Sequence, residues 1–149
     1  MILWRISNYS NLDGRGGLFS SARWLSAGNP IVYFAESPSG ALAEVLVHLE
    51  LSEDNIPADY QLLKAEAPDN IPIPQVEEIT LPVKWRADSI VTRTIGDEWI
   101  AAGATALLRV PSAIVPETFN ILLNPQHSDA AKVKVLWHRN YPWDRRLFE

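Results

Sequence analysis

Residues 23–48 read RWLSAGNPIVYFAESPSGALAEVLVH, and this stretch decides how the first part of the chain folds. Its AGNP segment is typical of a turn. The apolar run at residues 31–35 then predicts a short buried strand. Ser37 followed by Pro38 is typical of a helix start, with Ser in the capping position and Pro in the first turn. Apolar residues continue at helical spacing to about Leu51, so we expect a compact turn–strand–helix unit.

Three side chains of different chemistry lie on successive parts of this unit. Arg23 precedes the turn, Tyr33 lies in the strand and Glu44 lies inside the helix. A guanidinium binds phosphate oxygens through a planar fork, and a tyrosine ring stacks on flat groups. The trio therefore suits a ligand with phosphates, a flat ring and a sugar hydroxyl. Each residue also has a plainer interpretation, as a surface arginine, a core tyrosine or a solvated helix glutamate.

The remainder of the chain alternates short apolar segments with loops. A helix capped by Thr94 is expected to run to residue 102 and to be closed by Gly103. The prolines within residues 68–82 predict an extended or looped connection. Many short strands and few helices indicate one α+β domain over residues 1–149. The predicted strands are Ile2–Ser7, 31–35, 59–67, 106–110, 113–115, 120–123 and 132–137.

The composition excludes several classes of site. The 149 residues are 47% hydrophobic, which is enough for a core, and carry a net charge of −5. A protein that binds duplexes needs a basic footprint, so we expect no direct contact with nucleic acid. The absence of cysteine rules out disulfides, thiolate catalysis and zinc–thiolate sites. The three histidines show no metal-ligand spacing, so no metal site is expected.

The sequence predicts neither export nor membrane insertion. Its first residues lack the basic, apolar and small-residue pattern of a signal peptide. No apolar run approaches the roughly 20 residues that a helix needs to span a bilayer. We therefore expect a cytoplasmic protein without membrane contact.

Two further polar residues are candidates for a binding site. Arg5 interrupts an otherwise apolar strand, and strand alternation points it either to solvent or to a cleft. Ser112 follows Pro111 at a strand edge, where it is either an ordinary turn serine or a hydrogen-bonding group for a ligand. No base adjoins Ser112 in the sequence, so a nucleophilic role is not favoured.

Several dispersed motifs together resemble the RES-domain family, the toxins of bacterial toxin–antitoxin pairs. That family is named for an Arg, a Glu and a Ser. The matching positions are Arg23 in ARW, Glu44 in ALAEVLVH and Ser112 in VPSAIVP. The resemblance covers nearly the whole chain in the same order, because it also includes LWRI at 3–6, NILLNPQH at 120–127 and WDRRLF at 143–148.

The chain departs from the usual family pattern around Arg23. Ser21 and Ala22 stand where the family usually has two glycines, and Leu25 stands where it usually has Asn. Small residues are nevertheless kept before the arginine, so the backbone can still pass close to a ligand.

The resemblance implies both a fold and an activity. The fold would be similar to the ADP-ribosyltransferase catalytic domain, with two small β-sheets flanking an NAD-sized cleft. The activity would be cleavage of the nicotinamide–ribose bond of NAD, by hydrolysis or phosphorolysis, with NAD as substrate and no prosthetic group. Two alternatives stay open. One is transfer of ADP-ribose to a protein target, and the other is a non-catalytic module that binds an NAD-like ligand.

The resemblance also implies roles for residues and a partner. The catalytic residues would be Glu44, Arg23, Tyr33 and Ser112, and NAD would be bound by Arg5, Arg23, Tyr33 and Ser112. Glu44 would accept a hydrogen bond from the ribose and balance the positive charge that develops on the sugar. The implied partner is a cognate antitoxin protein with a helix-turn-helix domain, and the antitoxin complex could contain a homo-oligomer of the toxin.

Overall fold

The computed structural model describes residues 1–49 and 51–148, in which a six-stranded β-sheet is accompanied by two α-helices. Short 3-10 helices occur in several of the connections, including one at Arg15–Leu18 after the first strand. The larger elements, in chain order, are β1 (Ile2–Ser7), β2 (Val32–Ala35), α1 (Pro38–Leu46), β3 (Gln61–Glu66), α2 (Ser89–Ala102), β4 (Leu107–Pro111), β5 (Phe119–Leu123) and β6 (Lys134–Asn140).

The strands form one antiparallel sheet in the order β4-β5-β2-β1-β3-β6. β1 pairs with β3 along its whole length. In contrast, β1 and β2 are joined by the single residue pair Trp4–Ala35, which we call the seam. The expectation of two separate small sheets is therefore corrected to one sheet. One half of this sheet consists of β4, β5 and β2, and the other of β1, β3 and β6. The seam pair joins the two halves into a continuous sheet.

The sheet buries apolar side chains on both of its faces. Successive residues of a strand point to opposite faces. Accordingly, Leu107 and Leu123 pack in one apolar cluster, whereas Leu108 and Leu122 pack in another. α2 covers the second of these clusters, and α1 packs on a third cluster around Ile6. Both helices are thus fixed to the sheet by apolar contacts, which sets the positions of the polar residues that they carry.

The predicted start of α1 is confirmed. Ser37 has an extended backbone and its side chain accepts a hydrogen bond from the Gly40 amide at 3.0 Å, with proline in the first turn. The helix ends at Leu46, before the predicted end near Leu51, and residue 50 of that prediction lies outside the described residues.

The predicted start of α2 is wrong, although its end is confirmed. The helix begins at Ser89, and the Asp88 side chain caps it by accepting from the Ile90 amide at 2.9 Å. Thr94 lies inside the helix, where its hydroxyl donates to the carbonyl of Ile90 at 2.9 Å. Serine, threonine and aspartate all cap helices well, so the residue type alone did not single out the correct start. Gly103 closes the helix in a left-handed conformation with φ 62°.

The strand predicted at residues 113–115 is absent from the structure. These residues belong to the turn between β4 and β5. The Ser112 hydroxyl accepts hydrogen bonds from the amides of Ile114 at 3.1 Å and Val115 at 3.3 Å. A side chain that captures the amides of the next residues competes with strand pairing, which explains why an apolar segment turns here. The other predicted strands are present, with ends that differ by a few residues.

None of the helices in residues 1–49 and 51–148 has both the length and the apolar character that crossing a bilayer requires.

Candidate active site

A cavity of about 590 Å³ lies beside the seam and is lined by both halves of the sheet. Both seam residues, Trp4 and Ala35, contribute to its wall. Its volume is typical of small-molecule sites, which span about 300–1,000 Å³. Four of the five residues predicted for the site line this one cavity, namely Arg5, Arg23, Tyr33 and Glu44.

Arg23 lines this cavity and carries an unpaired donor. Its Nη1 atom is buried and has no hydrogen-bond partner among the described residues. Burial of a guanidinium nitrogen without a partner is costly, and most buried polar atoms in proteins are paired. The arrangement therefore favours an anionic ligand that would accept from this nitrogen.

α2 holds the backbone around Arg23 in place. The Thr92 hydroxyl donates to the carbonyl oxygen of Arg23, and Arg93 Nε donates to the carbonyl oxygen of Ala22 at 2.8 Å. One turn further along, Asp97 accepts from both the amide and the hydroxyl of Ser26, at 2.9 and 2.7 Å. The loop that carries Arg23 is thus positioned by a helix about seventy residues away in sequence, and not by its own turn alone.

A glycine on α2 makes this close approach possible. A Cβ atom placed on Gly96 would lie 1.5 Å from the carbonyl oxygen of Trp24, which no real structure tolerates. Trp24 itself is 1% exposed and packs against Trp85 with ring centroids 5.9 Å apart. The residue next to Arg23 is therefore wedged between the helix and the core.

Tyr33 offers a second unpaired polar atom. Its hydroxyl oxygen is buried, and the Trp24 backbone lies near it without meeting the geometry of a hydrogen bond. Burial raises the pKa of Tyr33, an effect that the nearby backbone of Trp24 partly opposes. The phenol therefore stays protonated at neutral pH and can donate to a ligand.

Arg5 contributes a further cation from β1, on the other side of the seam. Burial lowers the pKa of Arg5 to about 10, and the nearby Asp13 carboxylate partly opposes this shift. The guanidinium is still charged at neutral pH. One of its nitrogens donates to the carbonyl oxygen of Asn11 at a long 3.4 Å. Arg5 and Arg23 thus bring two positive charges to the cavity of an acidic protein.

Glu44 is held by two donors that act on the same oxygen. The Ser112 hydroxyl and the Asn120 side-chain amide each donate to Glu44 Oε1 at 2.8 Å. Ser112 is 3% exposed and Asn120 is 8% exposed, so both contacts are sheltered from water. No described residue donates to Oε2. The carboxylate is therefore fixed at one oxygen and available at the other.

The structure places Ser112 behind Glu44 and away from the cavity. Ser112 does not line the 590 Å³ cavity but a second one of about 560 Å³, whose wall also includes Glu44 and Asn120. Its hydroxyl donates to Glu44 and accepts from two backbone amides, so its hydrogen-bonding capacity is used within the protein. The Ser112 proton faces the Glu44 carboxylate, but because Ser112 does not line the first cavity, the arrangement does not favour a serine nucleophile for a ligand bound there.

Asn120 is the site residue that sequence reasoning missed. It lies in β5 opposite Ala35 of β2, and it lines the cavity. A signal was present, because Asn120 is the first residue of the NILLNPQH motif, but the sequence does not show that this asparagine faces a helix glutamate. His48, one turn after Glu44, also lines the cavity and is exposed.

The second cavity is dominated by an ion pair. Arg109 Nη2 lies 3.0 Å from Glu36 Oε2, and the guanidinium stacks over the Phe119 ring at 4.2 Å. Glu36 also accepts from the Phe119 amide at 3.0 Å. The pair ties the start of α1 to the β4–β5 edge and so supports the wall that carries Glu44.

In the described part of the chain, no group of three or more His, Cys, Asp or Glu side chains is arranged to hold a metal ion. The chemistry of the cavity instead consists of two guanidinium groups, a neutral phenol and an ordered carboxylate. This set can bind an anion while stabilising positive charge close to Glu44.

Comparison with known proteins agrees with the motifs. The RES-domain family model matches residues 2–144. Toxin Res of Pseudomonas putida is 46% identical over 148 residues, which cover 99% of this chain and 100% of that protein. The Prs ADP-ribosylating toxin of a Sphingobium species is 36% identical over an alignment of 155 positions, which covers 97% of this chain and 94% of that protein.

The fold also has a counterpart among solved structures. A chain from the crystal structure of the M. tuberculosis MbcT-MbcA toxin–antitoxin complex superposes with a TM-score of 0.72, covering 94% of this chain and 83% of that chain. The two sequences are 14% identical, so this likeness concerns the fold alone. The family match extends over nearly the whole chain and confirms the resemblance predicted from the dispersed motifs. The chain therefore belongs to the RES-domain toxin family.

Proposed function

We propose that this protein is the toxin of a bacterial toxin–antitoxin pair and that it cleaves the nicotinamide–ribose bond of NAD, by hydrolysis or by phosphorolysis. The observation that carries the proposal is that one cavity is lined by an ordered carboxylate and by an arginine and a tyrosine that each keep an unpaired polar atom. Arg23 Nη1 and the Tyr33 hydroxyl are buried without partners in the described chain, and Glu44 is fixed through one oxygen. NAD offers complementary groups, since it has a pyrophosphate, two flat rings and ribose hydroxyls.

The chemistry of this reaction suits the groups present. The nicotinamide of NAD is a cationic pyridinium, so it leaves as a neutral base and needs no acid to protonate it. The sugar becomes an oxocarbenium-like cation in the transition state. A carboxylate beside the ribose stabilises that charge, and it acts best when it is already oriented. Glu44 is the candidate for this role, and Ser112 would contribute by orienting it.

The other residues of the cavity would bind the remaining parts of NAD. Arg23 would grip the pyrophosphate through its fork, and Arg5 would add a second cation from the opposite side of the seam. Tyr33 would stack on one of the rings or donate through its free hydroxyl. Together these contacts would hold the ribose against Glu44, which is the geometric requirement for catalysis by positioning.

A protein partner follows from the same family membership. A toxin that consumes NAD in the cytoplasm, where the NAD pool is, would be harmful unless it was blocked. We expect a cognate antitoxin with a helix-turn-helix domain, with one segment inserted at the cavity between Arg23 and Glu44. The structural neighbour is part of a toxin–antitoxin complex, which supports this expectation. The assembled complex could contain more than one toxin copy.

The second candidate function is transfer of ADP-ribose to a protein. The Sphingobium relative is named for ADP-ribosylation of Prs, and it is 36% identical to this chain. Both reactions would begin by breaking the same bond and would differ in the group that attacks the sugar. A binding module without turnover is the remaining alternative.

Product analysis distinguishes these three functions. Purified protein would be incubated with NAD in the presence and absence of inorganic phosphate, and the products would be identified by mass spectrometry. Free ADP-ribose would indicate hydrolysis, and a phosphate-dependent phosphorylated ADP-ribose would indicate phosphorolysis. Adenine-labelled NAD that leaves its label on protein would indicate transfer. Binding of NAD without release of nicotinamide would contradict an enzymatic function.

A further inference from the structure

We propose that Asn120 is a positioning residue: together with Ser112 it fixes the orientation of the Glu44 carboxyl group through Oε1 and leaves Oε2 free for the ligand. The inference rests on the proposed function, in that it assigns Glu44 its working oxygen. It concerns a contact that can also be tested without NAD. The contact is the 2.8 Å hydrogen bond from the Asn120 side-chain amide to Glu44 Oε1.

The direction of both hydrogen bonds is fixed by their surroundings. Ser112 receives hydrogen bonds from the amides of Ile114 and Val115, so its own proton points to Glu44. The amide nitrogen of Asn120 faces the carboxylate, because its carbonyl oxygen would be repelled there. Both neighbours therefore donate to Oε1. Two donors on one oxygen restrict rotation of the carboxyl group, so Oε2 points in a fixed direction.

The position of Asn120 makes this contact rigid. The residue is paired on one side with Ala35 of β2 and on the other with Val110 of β4, in the interior of the sheet. Its side chain is 8% exposed and lines both cavities. Ser112 lies in the turn after β4, whereas Asn120 reaches Glu44 from a strand that is paired on both sides. Asn120 is therefore the more firmly placed of the two donors.

An isosteric substitution tests the contact most directly. In Asn120→Asp, a second carboxylate replaces the amide at hydrogen-bonding distance from Glu44. Two carboxylates that close together share one proton, and the singly protonated pair reproduces a donor facing Glu44. We expect this variant to keep activity at acidic pH and to lose it, by about tenfold to a hundredfold, as the shared proton is removed at higher pH. Asn120→Ala should show a similar loss at every pH, mostly in kcat.

Other charged groups surround this contact, and each is common to the parent and the variants. Comparing parent and variant at every pH therefore isolates the change at position 120. These groups are His48 just after α1, Arg5 and Arg23 across the first cavity, and Glu36, Arg109 and Glu117 in the second.

Asn124→Asp is the matched control. Asn124 is buried to a similar degree and follows the same strand, but its Oδ1 accepts from the Gln126 amide, a contact that Asp preserves. It lines neither cavity. This control should keep the pH profile of the parent.

A second measurement needs no substrate. The side-chain carboxyl groups of Asn120→Asp would be followed by ¹³C NMR during a pH titration of the free protein. One carboxyl of the pair should remain protonated well above about pH 4–5, where isolated carboxyl groups ionise. Independent ionisation of both groups in the isolated range would overturn the contact, whether or not NAD is the substrate.

Rates of NAD cleavage by the parent and the variants test the positioning role itself. Parent-like rates in Asn120→Ala at every pH would overturn the positioning role. An inactive parent chain would instead count against the proposed function, and the NMR titration would still decide whether Asn120 controls Glu44. If Asn120→Asp did not fold, the kcat of Asn120→Ala relative to its KM would carry the test.

Discussion

The side-chain hydroxyl of Thr92 donates to the backbone carbonyl of Arg23, and so links the middle of α2 to the loop that carries a candidate ligand-binding arginine. Thr92 is 0% exposed, and this contact joins residues that are 69 positions apart. The candidate site therefore depends on a helix that does not itself line the cavity. A substitution on α2 should therefore affect both the stability of the fold and the position of the Arg23 loop.

Gly96→Ala should lower stability and disturb the Arg23 loop together. The added methyl group would collide with the Trp24 carbonyl, so helix and loop must move apart. Overpacking of this kind commonly costs about 1–3 kcal/mol, which corresponds to a fall of roughly 2–12 °C in Tm for a domain of this size. The apparent KM for NAD should rise as well. Gly16→Ala is the control for thermal unfolding, because its Cβ would be 3.8 Å from Tyr9, an ordinary contact. Equal Tm values for the two variants would contradict the close contact between Gly96 and the Trp24 carbonyl.

Glu44→Gln should keep the fold and nearly abolish release of nicotinamide. The glutamine carbonyl can still accept from Ser112 and Asn120, but an amide donor then replaces Oε2 and the negative charge is lost. Loss of one electrostatic stabiliser typically lowers kcat about a hundredfold to a thousandfold. Steady-state assays of nicotinamide release, with circular dichroism to verify folding, would measure this. Glu98→Gln on the exposed face of α2 is the control. A folded Glu44→Gln variant with the parent rate would remove Glu44 from the mechanism.

Arg23→Ala should act mainly on binding of the ligand. A phosphate-binding arginine interacts with the ground state and the transition state alike, so its loss raises KM more than it lowers kcat. A lost charge-assisted hydrogen bond is worth about 1.5–3 kcal/mol, or roughly 10–150-fold in KM. Arg23→Lys should recover little, because an ammonium group offers a point charge and not a fork. Arg139→Ala on the exposed strand β6 serves as the control. Full activity in Arg23→Lys would contradict bidentate recognition of phosphate.

Tyr33→Phe should weaken ligand binding without destabilising the protein. The hydroxyl has no partner in the described chain, so removing it breaks no internal hydrogen bond and the free energy of unfolding should stay the same or rise slightly. If the hydroxyl donates to the ligand, the Kd measured by calorimetry should increase by about two- to tenfold. Denaturant unfolding of these samples would test the predicted stability, and calorimetry on the same samples would test the predicted Kd. A marked loss of stability would show that the hydroxyl has a structural role.

Expression of the chain in a bacterium without its antitoxin should arrest growth while cellular NAD falls. Co-expression of the cognate antitoxin should reverse both effects, and Glu44→Gln should relieve them at an equal level of expressed protein. NAD would be measured by enzymatic cycling at the time of arrest. Growth arrest with unchanged NAD would favour transfer of ADP-ribose to an essential protein. Absence of both effects would favour the binding module.

The sequence predicted best where local chemistry determines structure. The cap at Ser37, the strand around Tyr33 and the glycine that closes α2 depend on neighbouring residues, and all are present. The four cavity residues predicted from the motifs also meet in one place.

The sequence was a poorer guide to features that depend on contacts between residues far apart in the chain. Whether residues 113–115 form a strand depends on the side chain of Ser112, which captures their amides. That Asn120 contacts Glu44 depends on the pairing of β5 with β2, across 76 residues of chain. The role of Gly96 depends on how closely α2 approaches Trp24. None of these relationships leaves a periodic pattern in the sequence, because each is set by tertiary packing.

The seam has a consequence for how the protein responds to its ligand. Arg5 belongs to one half of the sheet, whereas Tyr33 belongs to the other, and in the described part of the chain Trp4–Ala35 is the one residue pair that joins the halves. A molecule that contacts both residues would act as a cross-link between two parts of the domain that share little backbone hydrogen bonding. Its binding free energy would then add to the cohesion of the whole domain. Without a ligand, the halves are held together mainly by the apolar cluster that contains both Leu3 and Phe34 and by α1 packed around Ile6, so cohesion across the seam depends on side-chain packing more than on backbone pairing.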